Sequence, residues 1–180
     1  MIPLWKLSGR RGNQMFQFAY LHAQARKGLI LDIYVQDPKY FEEYKDEIKL
    51  IFGQDIELID QVAIHVRRGD YVNNPFYVDL MTTDYYEKAM ELFPNEGFLV
   101  FSDDIEWCKK QDIFKGCEFS EGRTEVEDMN LMAGCKGVII ANSSFSWWGA
   151  YLSSGKVIAP LMWYADGVER TKLPKTWITI

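Results

Sequence analysis

Apolar runs that favour β-strands alternate with helical patterns along most of the chain. This alternation predicts a parallel sheet that is covered by helices. The strands are expected at residues 2–7, 29–35, 61–66, 97–101, 137–141 and 156–160. The helices are expected over residues 13–27 and 38–52, from Thr83 to Pro94, in a short stretch after Ser102, from residue 124 onward, and over residues 145–152. The pattern assigns no element to the tail from 161 to 180.

Side chains typical of helix ends mark several of these boundaries. Gly28 follows the basic last turn of the first helix and predicts its end. Residues 124–127, Thr-Glu-Val-Glu, form a capping box that starts another helix. Ser102 is expected to cap the short helix, with Asp103 and Asp104 in its first turn, where acidic groups favour the helix dipole. Adjacent carboxylates can also bind a metal, but the helix start explains this pair, and we predict no metal site.

The length of the chain allows more than one unit. Its 180 residues are enough for one domain, or for one full and one reduced domain. A boundary is expected near residues 55–60. The prediction is an α/β protein with a reduced N-terminal α/β unit at residues 1–58 and a Rossmann-type parallel sheet at residues 59–180.

The chain is acidic, with a net charge of −6 and a pI near 5.0. Nonspecific nucleic-acid binding needs a broad basic surface, so the charge argues against that class of protein. Arginine is nevertheless concentrated in two adjacent pairs, Arg10–Arg11 and Arg67–Arg68. A local cluster of this kind can still bind an anion.

The cysteines Cys108, Cys117 and Cys135 are odd in number and show no C-x-x-C spacing. This argues against a disulfide framework and a structural zinc site, and we expect reduced, mostly buried thiols. No apolar run approaches the length of a membrane span, and the N-terminus shows no signal-type apolar stretch. The expectation is a soluble protein of the cytoplasm.

The segment 65–71, His-Val-Arg-Arg-Gly-Asp-Tyr, carries the strongest candidate chemistry. It follows a predicted buried strand, and ligands of open α/β sheets bind outside the carboxyl ends of strands. Arg67 and Arg68 are costly to desolvate unless an anion meets them, and a planar guanidinium matches phosphate oxygens. Gly69 allows a tight turn or the close approach of a ligand. The alternative is a structural ion pair in which Asp70 holds one of the arginines.

The segment 142–149, Asn-Ser-Ser-Phe-Ser-Trp-Trp-Gly, also follows a buried strand and begins a helix. The first turn of a helix offers free backbone N–H groups and a partial positive charge. The hydroxyls of Ser143, Ser144 and Ser146 add donors, so the segment is a candidate phosphate cradle. The alternative is ordinary serine capping, with both tryptophans in the core.

The glycine-bounded loop 9–12 is a third candidate, because a strand-to-helix turn of this kind can bind a diphosphate. Gly9, Arg10, Gly12 and Asn13 are its candidate binding residues. A glycine loop alone is weak evidence. This one lacks the Lys-Ser/Thr ending of a P-loop and the spacing of a dinucleotide fold.

Asp128 lies one residue beyond the capping box, so the box does not explain it. A carboxylate can accept two hydrogen bonds side by side. Asp128 is therefore a candidate for accepting both the N1–H and the N2–H of a guanine.

Four segments, 8–17, 65–71, 101–107 and 142–150, resemble in order the motifs of the bacterial α-1,2-fucosyltransferases, glycosyltransferase family 11. The resemblance implies a GT-B-like protein that moves L-fucose from GDP-β-L-fucose, with inversion, to O2 of a galactose. It implies catalysis without a metal and no cofactor besides the donor substrate. The partners would be a nucleotide sugar and a galactose-containing glycan, and a homo-oligomer is compatible with the sequence.

The resemblance also implies roles for single residues. Arg67 would contact the β-phosphate, while His65 and Asp128 would address the guanine. The loop 9–12 would approach the phosphates. The phosphates would be held by Ser143, Ser144, Phe145 and Ser146.

Asp70 is the nearest candidate for the base that deprotonates the acceptor hydroxyl, and its other role would be to hold an arginine. The chain is much shorter than a typical family member, and the difference falls in the N-terminal half. Two further hypotheses therefore stay open at this point. One is a GDP-sugar-binding module without transferase activity. The other is a structural or interaction protein that keeps the fold, and the joint occurrence of Arg67, Asp128 and the serine turn argues against it, because only a ligand requires all of them.

Overall fold

The computed structural model describes residues 9–26, 36–53 and 56–180. The strands predicted at 2–7 and 29–35, and the helix stop at Gly28, lie outside these residues. The structural statements below concern the described part of the chain.

The described residues form one sheet of parallel strands, and its order is β3-β2-β1-β4-β5-β6. The six strands are β1 (Ile59–Val66), β2 (Phe98–Ser102), β3 (Glu118–Phe119), β4 (Cys135–Ile139), β5 (Lys156–Ala159) and β6 (Ile178–Thr179). This is the strand order of a Rossmann sheet, so the predicted fold class is confirmed. The edge strands β3 and β6 have two residues each. A strand this short shows no hydrophobic alternation in the sequence, so neither strand was predicted.

Strands β1 and β4 lie side by side at the centre, and the order of the sheet reverses between them. Ile64 of β1 pairs with Val100 of β2 on one side and with Ile139 of β4 on the other. In such sheets a crevice opens outside the carboxyl ends of the two central strands. The segments 65–71 and 142–149 both begin at that crevice.

Six α-helices accompany the described sheet. They are α1 (Arg11–Arg26), α2 (Lys45–Phe52), α3 (Tyr85–Glu91), α4 (Ile105–Cys108), α5 (Glu125–Gly134) and α6 (Ser144–Leu152). The single helix predicted at 38–52 is wrong in its first half, which consists of the 3-10 turns Pro38–Tyr40 and Glu42–Tyr44. Phe41, at the break between these turns, is buried with Trp147 and Trp148. Anchoring of this side chain in the core accounts for the interruption.

The capping box at the start of α5 is present as predicted. Two other caps are corrected. Asp104, not Ser102, caps α4, because its side chain accepts a hydrogen bond from Trp107 N. Asp84 takes the cap position of α3 in place of Thr83, whose hydroxyl accepts from Tyr85 N at 3.3 Å.

Each face of the sheet is covered by a hydrophobic core. Alternate residues of a strand point to opposite faces, so Ala63 joins the core beneath α1, α5 and α6, whereas Ile64 joins the core beneath α3. Phe16 of α1 packs on Trp147 with the ring centroids 4.4 Å apart. The described N-terminal helices therefore share a core with α6. The division into units at residue 58 stays a prediction.

Candidate functional site

A cavity of about 410 Å³ opens at the central crevice. It is bordered by the carboxyl ends of β1 and β2, by the segment after β5, and by the N-termini of α1 and α6. Its volume lies within the roughly 300–1,000 Å³ of small-molecule sites. The three candidate segments of the sequence meet there.

Most of the predicted site residues line this cavity. They are Gly9, Arg10, Gly12, Asn13, His65, Arg67, Asp70, Asp128, Ser143, Ser144 and Phe145. Two predicted residues lie elsewhere. The guanidinium of Arg68 lies 3.6 Å from the ring centroid of Trp107, and the hydroxyl of Ser146 is buried and faces the carbonyl oxygens of Ala141 and Ser143.

Gly12 joins the glycine loop to the serine turn. A Cβ atom on Gly12 would lie 2.6 Å from the carbonyl carbon of Ser144, so only a glycine allows the backbones to approach this closely. The first turns of α1 and α6 are thereby held against each other at one wall of the cavity.

The N-terminus of α6 is organised by Ser143. Its hydroxyl accepts a hydrogen bond from Phe145 N at 3.3 Å, which is the capping role that the sequence left open. The first N–H groups of α1 and α6 carry partial positive charge. An anion in the cavity would meet both helix ends.

Arg67 is held in a fixed position at the carboxyl end of β1. Its guanidinium pairs with Asp70 and, at 2.7 Å, with Asp103, and it lies 5.3 Å from the ring centroid of Tyr71. Only 11% of the side chain is exposed. A guanidinium fixed in this way offers its donors in a defined direction, as a binding site for an anion requires.

Asp70 bridges the two arginine-bearing segments. It pairs with Arg67 and lies 3.7 Å from Arg10, although 58% of its side chain is exposed. Burial raises the pKa of this carboxyl, but the hydrogen bond from Arg67 and the charges of Arg67 and Arg10 outweigh it, so its pKa lies below the ordinary value. In this arrangement Asp70 holds arginines, which was the alternative reading, and its role as a base stays a prediction.

Asp103 has a different role from the one predicted. It does not lie in the first turn of α4. One carboxylate oxygen accepts a hydrogen bond from Arg68 N at 2.8 Å, and the other pairs with Arg67. Gly69 has a φ of +34°, and a Cβ there would collide with the Asp103 carboxylate. Asp103 and Gly69 together shape the turn that presents Arg67.

His65 is buried beside Phe145, with the ring centroids 5.3 Å apart. Burial, and secondarily the charge of Arg67, lower its pKa from 6.5 to about 3, so the ring is neutral. Its Nδ1 atom is buried and has no hydrogen-bond partner among the described residues. A ligand in the cavity could supply that partner.

Asp128 lines the cavity on the side of β2, together with Arg123 and Glu125. Its Oδ1 accepts a hydrogen bond from Ser120 Oγ at 2.5 Å, and Arg123 donates to the same hydroxyl at 3.2 Å. Burial raises the pKa of Asp128. Arg123 was missed in the sequence because it stands alone, outside the two arginine pairs.

The opposite side of the cavity is aromatic, and no pattern in the sequence predicted this wall. Tyr71, Tyr77, Trp163 and Tyr164 line it. Tyr71 ends the candidate segment 65–71, Tyr77 lies between that segment and the helix predicted from Thr83, and Trp163 and Tyr164 come from the tail to which no element was assigned. Their common wall arises only from contacts between distant segments, so a local signal could not have revealed it.

All three cysteines are free thiols, as predicted. Within residues 9–26, 36–53 and 56–180, no group of three or more His, Cys, Asp or Glu side chains could hold a metal ion. In the same residues no helix is both long and apolar enough to cross a bilayer.

A Rossmann sheet with an arginine and two helix N-termini at its switch point is typical of proteins that bind phosphate-bearing ligands. Residues 42–180 match the family described as Glycosyl transferase family 11. The chain belongs to this family, as the sequence motifs indicated.

Three similar proteins are named for glycosyl transfer. The chain is 40% identical to the alpha-1,2-colitosyltransferase of Escherichia coli over 81% of its own length and 60% of that protein. It is 31% identical to the O-antigen biosynthesis glycosyltransferase WbnK of Escherichia coli over 87% of its own length and 62% of that protein. It is 33% identical to the galactoside 2-alpha-L-fucosyltransferase Sec1 of Mus musculus over 54% of its own length and 30% of that protein. The chain thus spans about 60% of the length of the bacterial relatives.

Among solved structures, the beta Kdo 2,7 transferase KpsC of Thermosulfurimonas dismutans is similar over 91% of this chain and 51% of that chain, with 12% identity and a TM-score of 0.46.

Proposed function

We propose that this protein binds GDP-β-L-fucose in the central cavity and transfers the fucosyl group, with inversion and without a metal, to a galactoside hydroxyl, most simply in an α-1,2 linkage. Family membership and the names of the relatives support the reaction class. The donor, the stereochemistry and the acceptor are the proposed parts.

The observation that carries the proposal is the convergence of positive groups on one point. Arg67 lines the same cavity as the N-termini of α1 and α6. Arg10, Arg11 and Arg123 also line it. A diphosphate is the ligand that fits a fixed guanidinium beside two helix ends.

The same groups would assist bond cleavage. As the bond between the sugar C1 and the phosphate oxygen breaks, negative charge grows on the β-phosphate. A preorganised donor aimed at such charge is typically worth about 2.7–4 kcal/mol. Arg67 and the first turn of α6 are these donors in the proposal. Asp103 pairs with Arg67, and Asp104 caps α4. Because both carboxylates have protein partners, this pair supports catalysis without a metal.

Asp70 is the proposed base, and its pairing with Arg67 suggests how it would be activated. When the β-phosphate takes a share of the Arg67 donors, Asp70 loses part of the interaction that lowers its pKa. It then becomes a better proton acceptor for the sugar hydroxyl that attacks C1.

Guanine recognition is assigned to the side of the cavity that contains Asp128 and His65. The carboxylate of Asp128 can accept from the N1–H and N2–H of guanine, which adenine lacks. The unpaired Nδ1 of His65 is a second contact point. Hydrogen bonds to a charged group are worth about 1.5–3 kcal/mol, so the preference for guanine should exceed about tenfold.

Calorimetric titration with GDP, GDP-L-fucose and ADP in EDTA tests the nucleotide site. We expect binding of both guanine ligands, with weaker binding of ADP. Asp128→Asn should remove most of the preference for GDP. Glu125→Gln is the matched control, because it neutralises another cavity carboxylate on the same helix and should keep the preference.

Absence of GDP binding, or equal affinity for GDP and ADP, would contradict the proposed site. A dependence of binding on Mg²⁺ would contradict the metal-free part. Release of GDP with lactose as acceptor then separates a transferase from a module that only binds the nucleotide sugar.

A further inference from the structure

The aromatic side of the cavity is a built surface, which we call the aromatic wall and define as Tyr71, Tyr77, Trp163 and Tyr164. The rings of Tyr71 and Tyr77 stack in parallel, 3.6 Å apart and at 6°. The ring of Tyr164 lies 5.8 Å from that of Tyr77. Trp163 and Tyr164 are buried, while Tyr71 and Tyr77 are half-buried.

The two segments that form the aromatic wall are joined by Asn142, in the segment that follows β4. Its side-chain amide donates to the carbonyl oxygens of Val78 and Trp163, both at 2.9 Å. Tyr77 and Tyr164 also form an isolated antiparallel bridge. These contacts hold the two segments of the wall together and link them, through Asn142, to the segment that follows β4.

A chain of hydrogen bonds leads from the aromatic wall to the glycine loop. The hydroxyl of Tyr164 lies 3.1 Å from Thr171 Oγ1, which donates to Gln36 Oε1 at 2.6 Å. Gln36 in turn donates to Asn13 Oδ1 at 2.8 Å. Asn13 and Gln36 both line the cavity. Amide groups thus stand beside aromatic rings, a combination that suits a ligand with one apolar face and several hydroxyls.

The position of the aromatic wall relative to the other groups indicates what it contacts. Asp128 lies on the β2 side of the cavity, whereas Trp163 and Tyr164 follow β5, and these strands flank the central pair on opposite sides. Arg67 lies between them and packs over the ring of Tyr71. A ligand whose base is at Asp128 and whose phosphate is at Arg67 would place its next group at the wall.

We propose that the aromatic wall binds the transferred sugar of the donor and selects a 6-deoxyhexose. This inference rests on the proposed function and names the residues that would contact the sugar and determine the specificity for it. A pyranose presents C–H groups on its faces, and the C6 methyl of fucose adds apolar surface that aromatic rings can cover. Burial of such groups is favourable by about 0.8 kcal/mol for each methylene.

The test is titration of Tyr77→Ala with GDP and with GDP-L-fucose. The dissociation constant for GDP-L-fucose should rise about tenfold, roughly the effect of exposing two buried carbon groups, while that for GDP should change less than twofold. Tyr77→Phe keeps the ring and should keep both affinities. Phe76→Ala is the matched control, because Phe76 contacts the rings of Tyr77 and Tyr164 but does not line the cavity.

Each other result has a distinct meaning. An equal loss of GDP and GDP-L-fucose, or the same loss in Phe76→Ala, would show that Tyr77 only supports the structure, and would overturn the inference. Unchanged donor affinities with a higher KM for methyl β-D-galactoside would assign the wall to the acceptor instead, which also overturns it. Failure of the wild-type protein to bind GDP at all would overturn the proposed function, and this inference with it.

Discussion

At the scale of single residues, adjacent arginines in the sequence have different surroundings in the structure. Arg67 faces the cavity between two carboxylates, whereas Arg68 stacks on Trp107. Both residues follow β1, and the turn that begins there directs the two side chains to different neighbours. The residue type alone predicts an anion site near both arginines, but the direction of each side chain decides which one can bind the anion.

Arg67→Ala should weaken GDP binding by about 1.5–3 kcal/mol, the usual range for a hydrogen bond to a charged group, or about 10- to 150-fold in Kd. Arg68→Ala removes the same charge from the neighbouring position and should leave the Kd within about threefold. Calorimetry measures both values, and thermal unfolding verifies that each variant is folded. Equal losses in the two variants would refute the assignment of the phosphate to Arg67.

At the scale of elements, the site depends on two helices that start at the same place. The first turns of α1 and α6 meet through Gly12 and Ser144. Because each helix contributes partial positive charge at its N-terminus, their contact concentrates that charge at one wall. The site therefore depends on the close approach of the two helices.

Gly12→Ala should force α1 away from α6. Overpacking of a tight contact typically costs about 1–3 kcal/mol, and we expect a loss of this size in the free energy of unfolding, measured with urea, together with weaker GDP binding. Gly97→Ala is the control, because a Cβ there would meet its nearest neighbour, Gln61 Cγ, at an ordinary 3.6 Å. A Gly12→Ala protein with wild-type stability and affinity would contradict the close contact.

At the scale of the whole molecule, the free energy of unfolding depends on pH through His65, which is buried in the central strand β1. His65 is the penultimate residue of β1, its ring is buried, and its pKa falls from 6.5 to about 3. In the unfolded chain His65 would bind a proton below pH 6.5, whereas in the folded chain it would not do so until about pH 3. The unfolded state therefore binds more protons in this window, and stability is lost as the pH falls through it.

Between pH 7 and pH 5 this difference should lower the free energy of unfolding by about 2 kcal/mol. Urea titrations of the wild type and of His65→Gln at pH 7, 6 and 5 measure it, and the variant should lose most of the dependence. His22→Gln removes the other histidine, which is partly exposed beside Glu47, and should keep the contribution of His65. An identical pH dependence in the wild type and His65→Gln would show that His65 is not the group responsible.

The chain by itself determines the four main strands, the Rossmann-type class and the motifs at the strand ends. These features depend on local patterns, namely buried apolar runs, capping residues and glycines, so the sequence alone predicts them. The segments around Arg67 and Ser143 were predicted from such patterns, and both line the cavity.

Tertiary structure alone decides how these residues are used. It separates Arg67 from Arg68, makes Asp103 the partner of Arg67, and gathers the aromatic wall from two segments without a periodic pattern. Each of these outcomes depends on contacts between residues far apart in the chain, where the direction of a side chain follows from packing. Local sequence does not determine those directions, because they depend on how the sheet and its helices pack at the crevice.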